Sequence, residues 1–195
     1  RLQAKILLLS LVPLVLAVFA LTAWSAMERA RATDQSLERQ RQAMIQMREL
    51  GIRSAAEVAR SSIQPLLNMD DQAEAQRRAK EMILGMKFDG DSYLFAYDYQ
   101  GNKVANANNP SSNSWDLQDA DGKYLVRDMV RIAREQGDGP YQYKWLHPGT
   151  GKVETKYAYL VSVPEWEWVI GTGVYITDID ADMAAIEATA RAELR

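Results

Sequence analysis

Lys156 is the side chain whose position in the sequence best suits chemistry. It stands in the middle of a predicted β-strand, in the segment T-K-Y-A-Y, among apolar and aromatic residues. A cation in such surroundings, together with a few hydroxyl or amide donors, can bind a small anion in a closed pocket. Strand alternation places small Ala158 on the same face, which leaves room for a ligand. The alternative is a lysine on an edge strand that points into water; we favour the pocket.

Aromatic residues recur at every second position of two other predicted strands. Tyr93 and Phe95 share one face of the first strand, and Tyr141, Tyr143 and Trp145 share one face of the second. About half of such aromatics only pack the core. Tyr93, Phe95 and Tyr143 are nevertheless candidate ligand contacts, since a buried phenol needs a hydrogen-bond partner.

Three further residues are weaker candidates. In a regular strand Tyr159 lies on the face opposite Lys156, so it reaches the same pocket only across a β-bulge or a strong twist. Trp115 stands alone in a polar loop, where it either anchors the loop or covers the pocket. Arg127 lies on a predicted helix and could supply a second cation, with a salt bridge or solvent exposure as the alternative.

The composition argues against several other kinds of site. The chain has no cysteine and one histidine, His147, in the predicted exposed turn L-H-P-G-T-G, so no thiolate or histidine-based metal centre is expected. The acidic residues around Asp91 and Asp121 lack the spacing of a calcium loop. A net charge of −3 without a basic stripe argues against nucleic acid. Without a nucleophile, a phosphate loop or paired carboxylates, we expect neither an enzyme nor a cofactor.

The elements that must position these residues form a mixed α and β domain. A long helix from Met27 to about Leu67 keeps near-heptad apolar spacing, so we expect it both to lie along the domain and to pair with a second copy. A second helix follows an N-cap at Asp70 or Asp71 and ends near Gly85. The other predicted elements are the strands Ser92–Asp98, Lys103–Asn106, Pro140–Leu146, Lys152–Val163 and Trp166–Ile176, a helix at Lys123–Gln136, and a last helix to Arg195. This order predicts an α+β fold, with the long helix packed on a five-stranded antiparallel, PAS-like sheet.

The last predicted strand, W-E-W-V-I-G-T-G-V-Y-I, is the one around which we expect the other strands and helices to pack. Its β-branched and aromatic residues predict a strand buried inside the sheet. Gly171 and Gly173 predict close packing against a neighbouring strand and the long helix. The segment T-D-I-D-A-D that follows is expected to cap the last helix. This helix would transmit a movement of the strand to the part of the protein beyond the sheet.

The amino-terminal segment predicts a membrane anchor. Ile6 to Trp24 is an uncharged apolar run of the length that spans a bilayer, and Pro13 is tolerated in such a helix. A cleaved signal peptide is the alternative; we favour an uncleaved anchor. The expected organisation is a cytoplasmic flank and transmembrane helix at 1–26, a ligand-binding domain at 27–182, and a juxtamembrane helix at 183–195 that leads toward a second span.

Three motifs, in this order, point to a known family. They are D-G-D-S-Y-L-F-A-Y-D at Asp89–Asp98, D-A-D-G-K-Y-L-V-R-D-M at Asp119–Met129 and W-E-W-V-I-G-T-G-V-Y-I-T-D-I-D at Trp166–Asp180. Over roughly Leu37 to Asp182 the chain closely resembles the single Cache domain of bacterial receptors. The resemblance implies an extracytoplasmic sensor between two membrane helices, most often in methyl-accepting chemotaxis proteins and sometimes in histidine kinases.

The resemblance also implies a ligand and parts of its site. Ligands of such domains are mostly small organic acids such as acetate, propionate, pyruvate, lactate or malate. A lysine that matches Lys156 occurs in related domains. Asn106 stands where family members commonly read A-H-P, and it keeps a donor and an acceptor but loses the possible cation.

These observations together lead us to expect the sensing region of a chemoreceptor in the inner membrane, with its sensor domain in the periplasm or outside the cell. It would bind an organic acid of two to four carbons and relay the signal through the last helix. The expected partners are the acid, the membrane and a second copy joined through the long helix. The alternatives are the sensor region of a histidine kinase, a membrane-anchored enzyme, and a dimerisation module without a ligand.

Overall fold

The computed structural model describes residues 2–88, 92–106 and 112–193, and within 2–43 and 187–193 only part of the side chains. The helices are α1 (Leu2–Ile63), α2 (Gln72–Gly85), α3 (Leu125–Gln136) and α4 (Ile176–Glu193), with short 3-10 helices at Gln64–Asn68 and Pro164–Trp166. The strands are β1 (Lys87–Phe88), β2 (Ser92–Asp98), β3 (Lys103–Ala105), β4 (Gly139–Leu146), β5 (Val153–Val163) and β6 (Trp168–Tyr175).

The chain divides into two units, Arg1–Ala43 and Met44–Arg195. The described part of the first unit is helical, with contacts one turn apart, such as Gln42 Nε2 donating to the Glu38 carboxylate at 2.9 Å. Among the described residues, no helix has an apolar stretch long enough to cross a membrane. The predicted span Ile6–Trp24 falls mostly on side chains outside the described residues.

The second unit is built on an antiparallel sheet with β6 at its centre. The strand order is β1-β2-β6-β5-β4, and β3 pairs with the other part of β2. All eight residues of β6 are buried, because the strand has a neighbour on each side and a packed layer on each face. The predicted α+β fold, with a long amino-terminal helix and an antiparallel PAS-like sheet, is confirmed.

Helices cover the two faces of this sheet separately. One face packs against the end of α1 and against α2, where small side chains such as Ala56, Ala59 and Ala79 let the helices approach the strands closely. The other face packs against α3 through Leu125 and Met129, and it carries most of the aromatic residues. Because successive residues of a strand alternate between faces, the aromatic side chains at period two in β2 and β4 reach this second layer.

One helix begins where the sequence predicts, and two helices begin at other residues. Asp71 caps α2 by accepting the Glu74 N–H at 3.0 Å, as predicted. The helix α3 starts at Leu125 and not at Lys123, because the Asp119 carboxylate accepts the N–H of Lys123 and holds it in a turn. The expected cap in T-D-I-D-A-D is wrong as well. Helix α4 begins at Ile176, directly after β6, without a connecting loop.

His147 also differs from the expectation of an exposed turn. The turn between β4 and β5 is present, and the His147 N–H donates to Lys152 O at 2.7 Å. The imidazole, however, is only 12% exposed, because it packs against the ring of Tyr175 at 4.2 Å.

Candidate ligand-binding site

Lys156 lies fully buried in the middle of β5, so the alternative of an edge-strand lysine in water is wrong. Its strand has neighbours on both sides, with Tyr143 of β4 and Tyr175 of β6 as the register partners of Lys156. The Nζ atom donates to the Tyr93 hydroxyl at 2.9 Å. It lies 4.0 Å from the ring centre of Tyr93, 5.1 Å from that of Tyr175 and 5.7 Å from that of Phe95. We call the amine and these three rings the lysine site.

Burial changes the charge state of this amine. Among the described residues no carboxylate pairs with Lys156, and desolvation alone lowers its pKa to about 7. At neutral pH the amine of Lys156 is therefore partly deprotonated. An anion that arrives at the amine favours the charged form, because an opposite charge at short range raises the pKa of a lysine.

A small cavity continues from the lysine site toward α3. Its volume is about 10 Å³, which is close to the space that one water molecule needs. Its lining is aromatic and apolar, and consists of Tyr93, Phe95, Tyr97, Asn106, Leu117, Leu125, Val126, Met129, Tyr143 and Trp145. An acid of two to four carbons does not fit this volume unless the lining moves.

The polar groups in this lining already have partners. Asn106 is buried and its Nδ2 donates to the Tyr97 hydroxyl at 2.9 Å. Tyr143 is buried as well, and burial raises the pKa of its phenol well above the usual value, so the hydroxyl keeps its proton. Among the described residues no buried side-chain nitrogen or oxygen lacks a hydrogen bond. A ligand must therefore break some of these internal hydrogen bonds and replace them with hydrogen bonds of its own.

The structure brings five of the predicted site residues together and leaves three apart. Tyr93, Phe95, Asn106, Tyr143 and Lys156 surround the amine and the adjoining cavity.

Tyr159 is not part of this group, because β5 pairs with β4 and β6 in continuous register without the bulge that would turn it. It lies on the opposite face, under the guanidinium of Arg53 at 5.5 Å.

Trp115 and Arg127 hold a loop against α3 and do not line the cavity. The Arg127 Nε donates to the Trp115 carbonyl at 3.0 Å, and its Nη2 pairs with the Asp116 carboxylate. Its guanidinium also lies 4.0 Å from the ring centre of Tyr124. Of the two roles considered for Trp115, the contacts fit the loop anchor, and those of Arg127 fit the salt bridge.

The sequence-based prediction missed several residues of the site. Tyr97 continues the alternation that singled out Tyr93 and Phe95, so the same period would have included it. Met129 lies on the apolar stripe of α3. Tyr175 had no local signal, because only the pairing of β5 with β6 places it opposite Lys156.

Two glycines make the lysine site possible. A Cβ on Gly173 would lie 2.3 Å from the Tyr157 carbonyl oxygen and 3.0 Å from Cε of Lys156. A Cβ on Gly171 would lie 2.5 Å from the ring of Phe95. The glycines therefore let β6 pass close to the lysine stem and to an aromatic ring, in agreement with the close packing against a neighbouring strand that the sequence predicts.

Comparison with known proteins identifies the fold and its usual context. The family model described as Single Cache domain 2 matches residues 44–189. Two curated relatives are a kinase and a receptor. The sensor histidine kinase MctS of Rhizobium johnstonii is 32% identical over 200 residues, which cover 100% of this chain and 43% of that protein. The methyl-accepting chemotaxis protein McpP of Pseudomonas putida is 33% identical over 113 residues, which cover 56% of this chain and 21% of that protein. The chain thus spans less than half the length of these relatives.

A solved structure agrees with this result. The crystal structure of a methyl-accepting chemotaxis protein from Vibrio parahaemolyticus superposes with a TM-score of 0.65 at 31% identity. The match covers 74% of this chain and 99% of that chain.

Proposed function

Because the chain belongs to the Single Cache domain 2 family, whose members serve chemoreceptors and sensor kinases, we propose that it senses an organic acid of two to four carbons outside the cytoplasm. In this proposal it is the sensing region of a chemoreceptor in the inner membrane, and its own role is binding and not catalysis. The sensor region of a histidine kinase is the second candidate, and the similarity to MctS over the whole chain supports it.

The observation that supports an acid is the buried amine of Lys156. A lysine without a carboxylate partner is costly to bury, and its charge is compensated when a carboxylate binds to it. The Tyr93 hydroxyl, 2.9 Å from Nζ, is placed to hydrogen-bond the same carboxylate. The apolar lining from Phe95 to Met129 suits a short carbon chain.

Binding would act by selecting a more open arrangement of the lining. The cavity has a volume of about 10 Å³ in this structure, and an acid favours whichever arrangement of the lining offers it more contacts. The shift would pass through β6 into α4 and so toward the membrane. Pairing of two copies through α1, which carries exposed Leu50 and Val58, would give the receptor its homodimer.

A direct test is thermal unfolding of the purified chain against a panel of small acids, amino acids and amines. An acid at about 100 times its Kd should add about 2.7 kcal/mol, which raises the Tm by roughly 5–10 °C. Amines should give no shift. If no acid shifts the Tm while another class does, the proposal is wrong.

The affinity for acids should fall with rising pH. The complex needs the ammonium form of Lys156, whereas the pKa of the empty site is about 7. Above pH 7 binding must therefore take up a proton, and the Kd should rise by up to about tenfold per pH unit. Calorimetry of acetate binding at pH 8, in two buffers that differ in ionisation enthalpy, should show an uptake of about one proton. An affinity that is constant from pH 7 to 9 would contradict this assignment of the cation.

A matched pair of tyrosine variants tests which face of β5 binds the acid. Tyr93→Phe removes the hydroxyl that partners Nζ, and should weaken acid binding by about tenfold, the value of a hydrogen bond to a charged group. Tyr159→Phe makes the same chemical change on the opposite face and should leave the Kd unchanged. Equal losses in both variants, measured by calorimetry, would place the acid elsewhere.

A further inference from the structure

The turn between β4 and β5 is docked on the first turn of α4 through His147. Its Nε2 lies 2.9 Å from Oδ1 of Asp178, and its ring lies 4.2 Å from that of Tyr175. The imidazole is 12% exposed and the Asp178 side chain is 57% exposed, so only the histidine side of this contact is shielded from water. Tyr175 is the last residue of β6 and Asp178 belongs to α4, so one side chain touches both sides of the strand–helix junction.

The turn itself fixes which nitrogen of His147 carries the proton. Nδ1 accepts the N–H of Gly149 at 2.9 Å and that of Thr150 at 3.3 Å. A ring nitrogen that accepts has no proton, so the neutral imidazole carries its proton on Nε2 and donates it to Asp178. Gly149 leaves room for this arrangement, because a Cβ there would lie 3.1 Å from Cε1 of the ring.

Tyr175 connects the same ring to the lysine site. It is the register partner of Lys156, and its ring centre lies 5.1 Å from Nζ. Its hydroxyl donates to the Leu146 carbonyl at 2.9 Å, at the end of β4. The ring of Tyr175 therefore lies close to the amine and to the ring of His147, and the next residue along the chain starts α4.

We infer that His147 is the positioning residue that couples the lysine site to α4. It holds the ring of Tyr175 against its own face and the first turn of α4 through Asp178. When Lys156 moves toward an acid, Tyr175 loses its neighbour, and His147 passes the displacement to α4. This inference rests on the proposed function and adds the contact through which the site would act.

Other contacts hold α4 as well, and one of them supplies a control. Arg48 of α1 pairs with Asp182 of α4 at 2.6 Å, a salt bridge that does not involve His147 or Asp178. If every contact that stabilises α4 contributed to the coupling, the loss of Asp182 would weaken the coupling as much as the loss of His147. If His147 acts through Tyr175, only the variants of His147 and Asp178 break the coupling.

Hydrogen exchange of the whole chain, read by mass spectrometry over residues 177–181, tests this coupling. The perturbation is Lys156→Met, which removes the amine from the ring of Tyr175 and needs no ligand. In the otherwise native chain it should change the exchange rate of these amides at least threefold. In a His147→Ala or Asp178→Ala background the change should fall below about 1.5-fold, and in an Asp182→Ala background it should stay threefold.

Two separate variants, His147→Ala and Asp178→Ala, are used so that the test does not depend on the folding of either one. The side chain of Asp178 is 57% exposed, so Asp178→Ala removes the contact even where His147→Ala does not fold. An unchanged threefold effect without His147 or Asp178 would overturn the inference, and so would the absence of an effect in the native background. Failure of the proposed function looks different, because then acetate and the other acids do not bind while the effect of Lys156→Met on α4 persists.

Discussion

Lys156→Met is expected to abolish the binding of small acids and, in the same protein, to stabilise the empty domain. Methionine fills a similar volume and removes an amine that is buried without a carboxylate partner among the described residues. Under the proposed function, Lys156 would serve binding at the expense of stability. Calorimetry with acetate and urea unfolding of the same preparation measure the two effects.

The gain in stability should depend on pH with a definite sign. The pKa of Lys156 is about 7 in the folded chain, below the usual 10.5. Between these values the unfolded chain binds more protons, so the free energy of unfolding of the native chain rises with pH across this window. Below pH 7 the cost of the buried charge is complete, on the order of 5 kcal/mol for a shift of this size.

The variant should therefore exceed the native chain most at pH 6 and least at pH 10. Lys152→Met is the matched control, because Lys152 lies exposed in the turn before β5 and its loss leaves the pH slope unchanged. A Lys156→Met variant that is less stable than the native chain at pH 6 would refute the account of the buried amine.

Gly173→Ala should have the largest effect on folding of any single methyl group added to this domain. The new Cβ would lie 2.3 Å from the Tyr157 carbonyl oxygen and 3.0 Å from Cα of Ala158. Both are backbone atoms of the adjacent strand, so no side chain can rotate away and β5 must separate from β6. We expect a loss of about 3 kcal/mol or more, at the upper end for overpacked cores. Urea unfolding measures this loss.

Gly51→Ala provides the control for this substitution. Gly51 lies in α1, and a Cβ there meets nothing within 4 Å. Both substitutions restrict the unfolded chain alike, and alanine in an exposed helix is favoured over glycine by about 1 kcal/mol. Gly51→Ala should thus stabilise the domain while Gly173→Ala destabilises it. Similar effects in both variants would show that the close approach of β6 to β5 is not tightly packed.

The elements of this fold could be predicted because their signals are local. Alternating aromatic residues gave β2 with its observed bounds, Ser92–Asp98, and an aspartate cap gave the start of α2. The start of β6 was less accurate. Trp166 ends a 3-10 helix and Glu167 has a φ of 52°. This left-handed conformation is uncommon for glutamate and could not be predicted from the sequence.

The site was only partly predictable because it depends on register. The face of Lys156 follows from strand alternation, and its burial follows from the neighbours that β4 and β6 provide. The residue that pairs with Lys156 on β6 depends on the register of the two strands, which the sequence does not show. Tyr175 was therefore missed. The same regular pairing, without a bulge in β5, leaves Tyr159 on the other face.

The small cavity beside Lys156 has a consequence for the time course of acid binding under the proposed function. With room for about one water molecule, this cavity would take up an acid only when its lining opens. At high acid concentration the rate of association is then set by the frequency of opening and no longer by diffusion, and such motions take microseconds to milliseconds. Under the proposed function, the packing of a few aromatic rings would limit how quickly the domain responds to a rise in acid concentration.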